Sequence, residues 1–436
     1  MHYGDGLSVE GGRLHFYGVD LVGLADGYGT PLFVFSEERI RRNVEDVADA
    51  FGRENVFYAC KANSNLAILR IIRGLGVNVE VTSDGELFKA LKAGFRPEQV
   101  VFNGVAKTVG ELRMAVEYGV HCVNLDSLYE LRRLRDVVRD FGGEVNVAFR
   151  VASGVLAGTH VGFETATPSS KFGITLDEME EAYREAFKGD GVNPIGVHCH
   201  VASQVPRVEV FEEGVRRVSR EARRVERKVG FEMLEFNMGG GFPIPYAKMP
   251  VKELPEYFYA QLDVHEVALR VKRVVRENLE NARLIVEPGR RIVGDAAVLL
   301  TQVQNVKERN GEKWLLIDSG FNVLLDAFSY KWYFHIVSAS RAGEEHREPY
   351  VIGGPLCDGG DALLDPQGAL PRYRFLPHGV KPGEYLAILD VGAYTLEQMS
   401  QYNGRPRPAA VLLSGSNVKL IRRRETFDDL IRNDMV

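Results

Sequence analysis

Between residues 56 and 287, short apolar, β-branched runs alternate with longer amphipathic ones, and this alternation constrains the fold more than any other feature. Eight strand-like runs can be counted, at 56–60, 77–82, 99–103, 121–125, 144–151, 194–200, 233–238 and 283–287. Helix-like runs separate most of them, at 67–75, 86–93, 111–118, 129–140, 177–187 and 208–229. Two helix starts carry the S/T-x-x-E signature of a capping box, Ser83-Asp84-Gly85-Glu86 and Thr175-Leu176-Asp177-Glu178. Strands joined through helices pair in parallel, and eight such units predict a closed (β/α)8 TIM-like barrel.

A further helix is expected over 37–51, ahead of the barrel. Before it, residues 1–35 read as short strands and turns, as in Leu32-Phe33-Val34-Phe35. Beyond about residue 295 the runs 298–306, 314–317, 386–389 and 410–413 read as strands without regular helices between them. The expected division is a barrel domain over 36–295 and a mainly β, sandwich- or barrel-like domain built from 1–35 and 296–436. The N-terminal segment joins the second because it has no partner in the barrel.

Length and composition agree with this. At roughly 150 residues per domain, 436 residues suit two or three. With 26% charged and 45% hydrophobic residues, the chain is not mainly disordered. Lys and Arg number 54 against 60 Asp and Glu, with no basic domain, so nucleic acid is not an expected partner. No apolar run approaches the roughly 20 residues needed to cross a bilayer. The opening Met1-His2-Tyr3-Gly4-Asp5 lacks the layout of a signal peptide, so a cytoplasmic protein is expected. Cys60, Cys122, Cys199 and Cys357 are widely spaced, which argues against a disulfide framework or structural zinc. Glycine, at 45 residues, exceeds the average of about 7% and suits tight turns and backbone-lined ligand sites.

In such a barrel the active site lies at the C-terminal ends of the strands. Residues ending the expected strands include Lys61, Ser83, Asn103, Asp126, Arg150, His200, Gly239-Gly240-Gly241 and Glu287. Lys61 follows Val56-Phe57-Tyr58-Ala59-Cys60. Desolvation there lowers an amine's pKa and favours Schiff-base chemistry, unless the side chain snorkels to solvent at the rim. The glycine triplet after the seventh strand leaves backbone N–H groups open to a phosphate, or forms a flexible turn. In Glu287-Pro288-Gly289-Arg290 the carboxylate can hold a protonated ring nitrogen and the arginine a phosphate or carboxylate, or the two pair with each other.

His198 and His200 point to one face of their strand, since residues two apart share a face. No carboxylate or cysteine lies at ligand spacing beside them, so no metal is expected. His200, nearer the mouth, can stack on a flat cofactor, while His198 suits a core position. Cys357 lies in the glycine-rich, acidic run Gly353-Gly354-Pro355-Leu356-Cys357-Asp358-Gly359-Gly360-Asp361, where a buried structural thiol fits less well. A phosphate site, an aldehyde-reactive lysine, a carboxylate for a ring nitrogen and a stacking histidine are together what pyridoxal 5′-phosphate needs.

The motifs resemble the diaminopimelate decarboxylase branch of the fold-type III pyridoxal-phosphate decarboxylases, the ornithine, diaminopimelate and arginine decarboxylase group. The resemblance runs through Tyr58-Ala59-Cys60-Lys61-Ala62-Asn63, Glu80-Val81-Thr82-Ser83-Asp84-Gly85-Glu86-Leu87, Ser170-Lys171-Phe172-Gly173 and His198-Cys199-His200. It continues through residues 239–243, 287–290 and 354–361, Gly392-Ala393-Tyr394 and Arg423-Arg424-Glu425-Thr426. It implies an alanine racemase-like barrel and a head-to-tail homodimer with shared active sites. By resemblance, Lys61 is the lysine that holds the cofactor, Glu287 pairs with the pyridine nitrogen and His200 stacks on the ring. Ser203, Gly239, Gly240, Gly241, Gly289, Arg290 and Tyr394 match positions that contact cofactor phosphate or substrate. Cys357 matches the cysteine donated by the partner subunit and is the candidate for reprotonating the substrate carbon, with Lys61 as the alternative. The implied reaction is decarboxylation of meso-diaminopimelate to L-lysine, a step of lysine biosynthesis.

Two departures stand out, the first beside the expected phosphate site and the second bearing on the substrate. The family commonly reads His-x-Gly-Ser after its stacking histidine, whereas this chain has His200-Val201-Ala202-Ser203. Diaminopimelate decarboxylases place an Arg-Pro pair where this chain has Asp326-Ala327, and that arginine helps bind the distal carboxylate. Asp326 would repel the same carboxylate, while Tyr330 and Arg290 remain and the glutamate after the cysteine is shortened to Asp358. An acid at 326 can favour a distal amine, as in ornithine, lysine, arginine or carboxynorspermidine, or pair with Lys331. A racemase would need a second base opposite Lys61, and a non-catalytic pyridoxal-phosphate carrier would not need residues 300–436. The cysteine-bearing loop 354–361 argues against the racemase, and Lys61, Glu287 and Cys357 disfavour the carrier.

Overall fold

Every one of the eight strand-like runs folds as a strand. They are β1 (Phe57–Ala59), β2 (Asn78–Val81), β3 (Val100–Phe102), β4 (Cys122–Leu125), β5 (Val145–Val151), β6 (Val192–Cys199), β7 (Glu235–Asn237) and β8 (Arg283–Ile285). They pair in parallel in chain order, and a bridge between Val56 and Val286 joins the two ends of the sheet. Phe57 N donates to Val286 O at 2.9 Å and Ala59 N to Pro288 O at 3.0 Å across that seam. This computed structural model describes residues 4–167, 170–189, 191–252, 254–363 and 370–435. Residues 1–3 of the opening considered as a leader, and 364–369 and 436 of the expected β domain, lie outside them.

The expected helices form as α1 (Glu37–Phe51), α2 (Leu66–Gly74), α3 (Asp84–Ala93), α4 (Val109–Tyr118), α5 (Leu128–Phe141), α6 (Met179–Ala186) and α7 (Val208–Val229). An eighth, α8 (Val264–Asn278), was not among them. It buries Val264, Val267, Ala268, Val271, Val274 and Val275, a helical spacing in a run otherwise crowded with charge. The capping signatures work with differences. Ser83 Oγ accepts from Glu86 N at 3.2 Å, but the Glu86 carboxylate reaches one residue further back, to Thr82 N at 2.7 Å. At the second signature Glu178 accepts from Thr175 N, and this closes a turn before α6 begins at Met179.

Inside the barrel, Phe57, Val101, Cys122, Ala148 and Ile285 form an apolar layer. Two residues further along the same strands come Ala59, Asn103, Asn124, Arg150 and Glu287. Residues two apart share a face, so the apolar filling gives way to a polar layer at the C-terminal mouth.

The chain divides into a barrel unit, Arg41–Ile244 with Ala260–Ile292, and a mainly β unit, Met1–Ile40, Pro245–Tyr259 and Val293–Val436. The segment Pro245–Tyr259 lies within the stretch expected for the barrel but groups with the β unit. Its Tyr246 and Phe258 pack on Trp332, with ring centroids 5.2 and 4.6 Å away. Among the described residues the β unit holds a nine-stranded sheet. Within it Leu32–Ser36 pairs antiparallel with Ala297–Arg309 and parallel with Ala409–Ser414. Residues 1–35 are not strands and turns alone: Leu21–Tyr28 is a helix, capped by Asp20, whose Oδ1 accepts from Val22 N at 2.9 Å. Leu21, Leu24 and Ala25, at the i, i+3, i+4 spacing, and Val22 are its buried residues. Among the described residues no helix is long and apolar enough to cross a membrane.

Candidate active site

The polar layer floors a cavity of about 420 Å³ at the strand ends, lined by Lys61, Thr82, Asn103, Arg150, Phe172, His198, His200 and Glu287 among others. That volume suits a small-molecule ligand. Lys61 stands in a single 3₁₀ turn, Cys60–Ala62, directly after β1. It does not simply run out to solvent: its Nζ lies 3.1 and 3.0 Å from the two carboxylate oxygens of Glu80. Glu80, on β2, is fully buried. Burial pushes its pKa up, while Lys61 pulls the other way.

The Glu287 carboxylate is held from three sides. Asn237 Nδ2 donates to Oε1 at 2.7 Å, Asn103 Nδ2 donates to Oε2 at 3.0 Å, and His198 Nε2 lies 3.3 Å from Oε2. Burial alone would raise its pKa, but His198, Lys61 and the Asn237 hydrogen bond outweigh it and leave Glu287 below the usual carboxylate range. His198, expected in the core, is buried there and serves the carboxylate.

His200 is fixed by the glycine run. Gly240 N donates to His200 Nδ1 at 3.1 Å, so a neutral ring carries its proton on Nε2. Burial, with Arg150, Lys61 and His198 adding to it, pushes the His200 pKa well down and keeps the ring neutral. A Cβ on Gly240 would meet Glu287 O at 2.2 Å, and one on Gly241 would meet Ala202 O at 2.1 Å. Gly239 and Gly241 also have positive φ, +67° and +102°. The triplet is therefore a required close approach of backbone, not merely a flexible turn.

Around this centre, Ser203 N donates to Phe163 O at 3.3 Å, and Gly289 O accepts from Ile292 N at 3.0 Å. The Arg290 guanidinium lies over the Phe163 ring, 5.5 Å from its centroid. The remaining candidates belong to the β unit. Cys357 is exposed, and its backbone N donates to Asn403 Oδ1 at 2.7 Å. Asp358 Oδ1 accepts from Gly360 N at 2.8 Å. Asp361 organises that loop, accepting from Leu356 N at 2.7 Å and Phe321 N at 2.9 Å. Asp326 is buried, with its backbone oxygen accepting from Tyr330 N and Trp332 N. Tyr330 is half-buried, and Tyr394 holds a positive φ of 58°.

Lys61, His200 and Glu287 thus share one cavity. Sequence reasoning gave no role to Glu80, Asn124, Asn237 or Lys107. Glu80, Asn124 and Asn237 are polar residues inside strand-like runs, a signal that marks a position but not a partner. The residues present fit pyridoxal phosphate on geometric grounds. They offer an amine at a strand end, a buried carboxylate held ionised, a neutral imidazole of fixed orientation, and a backbone cradle that any Cβ would fill. Among the described residues no group of three or more His, Cys, Asp or Glu is arranged to hold a metal ion.

Comparison with known proteins bears on the same residues. Residues 37–294 match the family described as pyridoxal-dependent decarboxylase, pyridoxal binding domain. The chain is 39% identical to a diaminopimelate decarboxylase of Archaeoglobus fulgidus, over 98% of this chain and 97% of that one. It is also 39% identical to one from Methanothermobacter thermautotrophicus, over 98% and 96%. Among solved structures it resembles the diaminopimelate decarboxylase of M. jannaschii in complex with L-lysine, with TM-score 0.89 and 35% identity over 100% of this chain and 99% of that one.

Proposed function

This chain belongs to the pyridoxal-dependent decarboxylase family, and we propose that it decarboxylates meso-diaminopimelate to L-lysine and carbon dioxide. The observation that carries the reading is the meeting of Lys61, His200 and an ionised Glu287 in one cavity, in a chain similar from end to end to diaminopimelate decarboxylases. The complex of the M. jannaschii relative with L-lysine, the product of this reaction, supports it.

When bound, pyridoxal phosphate supplies an electron sink for the pair left behind as carbon dioxide departs. Lys61 Nζ would hold the cofactor and give way to the substrate amine. Glu287, kept anionic by its three neighbours, would hold a proton at the ring nitrogen and so strengthen that sink. His200 would pack on the ring. Ser203, Gly239, Gly240, Gly241, Gly289, Arg290 and Tyr394 would bind the phosphate or the substrate. Arg290, Tyr330, Asp358 and Tyr394 would surround the substrate's far end together with Asp326, whose charge opposes a distal carboxylate. Cys357 Sγ would return a proton to the vacated carbon, with Lys61 as the alternative donor. In this reading Cys357 comes from the partner subunit of a homodimer, and the cysteines, none of them in a disulfide, suit a reducing cytoplasm.

A second reading rests on Asp326, which is acidic where the resembling enzymes carry arginine. It would favour a substrate with a distal amine, of the ornithine, lysine, arginine or carboxynorspermidine type. Purified protein with pyridoxal phosphate, offered each of these and meso-diaminopimelate, separates the readings by carbon dioxide release and product mass. Lys61→Ala is the blank. Turnover of diaminopimelate alone supports the first reading, and turnover of a diamine precursor instead supports the second. Cofactor absorbance with no carbon dioxide from any of them would sink both.

A further inference from the structure

Asn103 follows β3 with its whole amide committed. Nδ2 donates to Glu80 Oε1 at 2.8 Å and to Glu287 Oε2 at 3.0 Å, and Oδ1 accepts from Asn124 Nδ2 at 2.5 Å. A primary amide has two N–H donors and one carbonyl, so this is its complete valence bar one lone pair. Flipped, it would set its oxygen against two carboxylates and its NH2 against another NH2, so the network fixes its orientation. Lys107 fixes the backbone beneath. Its buried Nζ donates to Gly104 O at 2.7 Å, Asn124 O at 2.8 Å and Glu130 Oε1 at 2.9 Å, clamping the ends of β3 and β4 together.

Two carboxylates tied to one buried amide resist carrying two charges in a low-dielectric space. Their surroundings are unequal. Glu80 faces Lys61 after β1 and feels Glu86 of α3 and Glu287. Glu287 faces His198 of β6, Asn237 of β7 and Lys61. Arg150 of β5 acts on both, and His200 is coupled to Glu287. Asn103 donates to both carboxylates.

We propose that Asn103 is a positioning residue that couples the two carboxylates, its one NH2 stabilising the negative charge of Glu287 for the cofactor's ring nitrogen beside the competing charge of Glu80. This deepens the decarboxylase reading and rests on it, because that reading gives Glu287 its partner. Without Asn103 both acids lose a donor to their charged forms, so Glu287 binds a proton at higher pH. Removing Glu80 as well takes away the competing charge and reverses part of that change.

The test is a pH titration of the cofactor's visible absorbance in the resting holoenzyme, which needs no substrate. Asn103→Leu is expected to move the acid midpoint up by about one pH unit, a tenfold change in proton affinity. Asn103→Asp, nearly the same shape, should move it at least as far and serves if the leucine variant does not fold. Adding Glu80→Gln to either should bring the midpoint back towards wild type. An unmoved midpoint in a folded variant that has lost only thermal stability would overturn the assignment, and so would a shift that Glu80→Gln leaves untouched. Wild-type protein that takes up no pyridoxal phosphate would overturn the decarboxylase reading itself.

Discussion

A Cβ atom on Gly240 would lie 2.2 Å from the carbonyl oxygen of Glu287, and Glu287 N in turn donates to Gly239 O at 2.8 Å. The glycine run and the carboxylate are thus built against each other through backbone alone. Gly240→Ala has no flexible side chain to displace, so one strand end must shift. The expected cost is about 1–3 kcal/mol of stability, typical of overpacking. Weaker uptake of pyridoxal phosphate should accompany it, because the shift moves both halves of the cradle. Thermal unfolding of the apoprotein and a cofactor reconstitution curve measure the two effects. A variant with wild-type values in both would show that the approach is looser than the geometry states.

Glu287→Gln tests the charge at the same place. The amide keeps the shape, but its NH2 faces donors from Asn103 or Asn237 that now lack an acceptor. The cofactor should still bind, since Lys61 and the glycine run are untouched, while kcat falls on the order of a hundredfold or more. Steady-state kinetics beside the cofactor spectrum of the variant checks this. Loss of cofactor in proportion to activity would assign Glu287 to binding instead.

The barrel was legible in sequence because each strand is a largely apolar run and every helix but the charge-crowded α8 has a clear apolar face. The site was legible where a residue type has few uses, as with Lys61 at a strand end or three glycines in a row. What lay hidden depends on long-range geometry. Glu80 and Asn103 are 23 positions apart and meet only because β2 and β3 are neighbours, and Asn103 and Glu287 are 184 apart. Likewise Tyr246 and Phe258 gave no sign in sequence that they pack on Trp332 and so draw Pro245–Tyr259 away from the barrel.

Lys107 and Glu130 form an ion pair with almost no exposure on either side chain. Burial pushes the Lys107 pKa down, and Glu130 opposes it. Lys107→Met leaves Glu130 charged and buried without its cation, and should cost about 3–5 kcal/mol. Adding Glu130→Leu removes the stranded charge and should recover part of the loss. It will not recover all of it, because Gly104 O and Asn124 O still lack the Nζ donor. Urea unfolding of the three proteins measures the sequence of values, and full recovery in the double variant would show that the carbonyl contacts contribute little.

His335, in the β unit, gives a pH prediction. Burial, with Lys248, Arg374 and His346 adding to it, pushes its pKa from 6.5 down to about 3. Between those values the unfolded chain binds a proton that the folded chain does not. Stability therefore rises with pH across this window and is lost as pH falls from about 6.5 towards 3. Asp390, raised to about 6 chiefly by burial, works the other way between its ordinary 3.8 and 6, because there the folded chain holds the extra proton. His335→Gln should remove up to one proton from the slope, about 1.4 kcal/mol per pH unit near pH 5. Urea unfolding at a series of pH values would show it, and parallel curves for the two proteins would mean that His335 is not the group that titrates.

In the proposed function Asp326 faces the substrate's far end, and its charge gives the last prediction. It is buried, in the short helix Leu325–Ser329, and carries a carboxylate where the resembling enzymes carry a guanidinium. If the substrate is meso-diaminopimelate, that charge opposes the distal carboxylate, and Asp326→Asn relieves the repulsion without changing shape. The expected result is a fall of at least about fivefold in KM with kcat little changed, because the ~1 kcal/mol of a like-charge contact at about 4 Å in water is a lower bound at a buried site. For a substrate ending in an amine the sign reverses, and KM rises by a similar factor. Measuring KM for both substrate types on the same variant makes the two outcomes exclusive. Equal KM values in variant and wild type for every substrate turned over would remove Asp326 from the site and leave its carboxylate a structural group of the β unit.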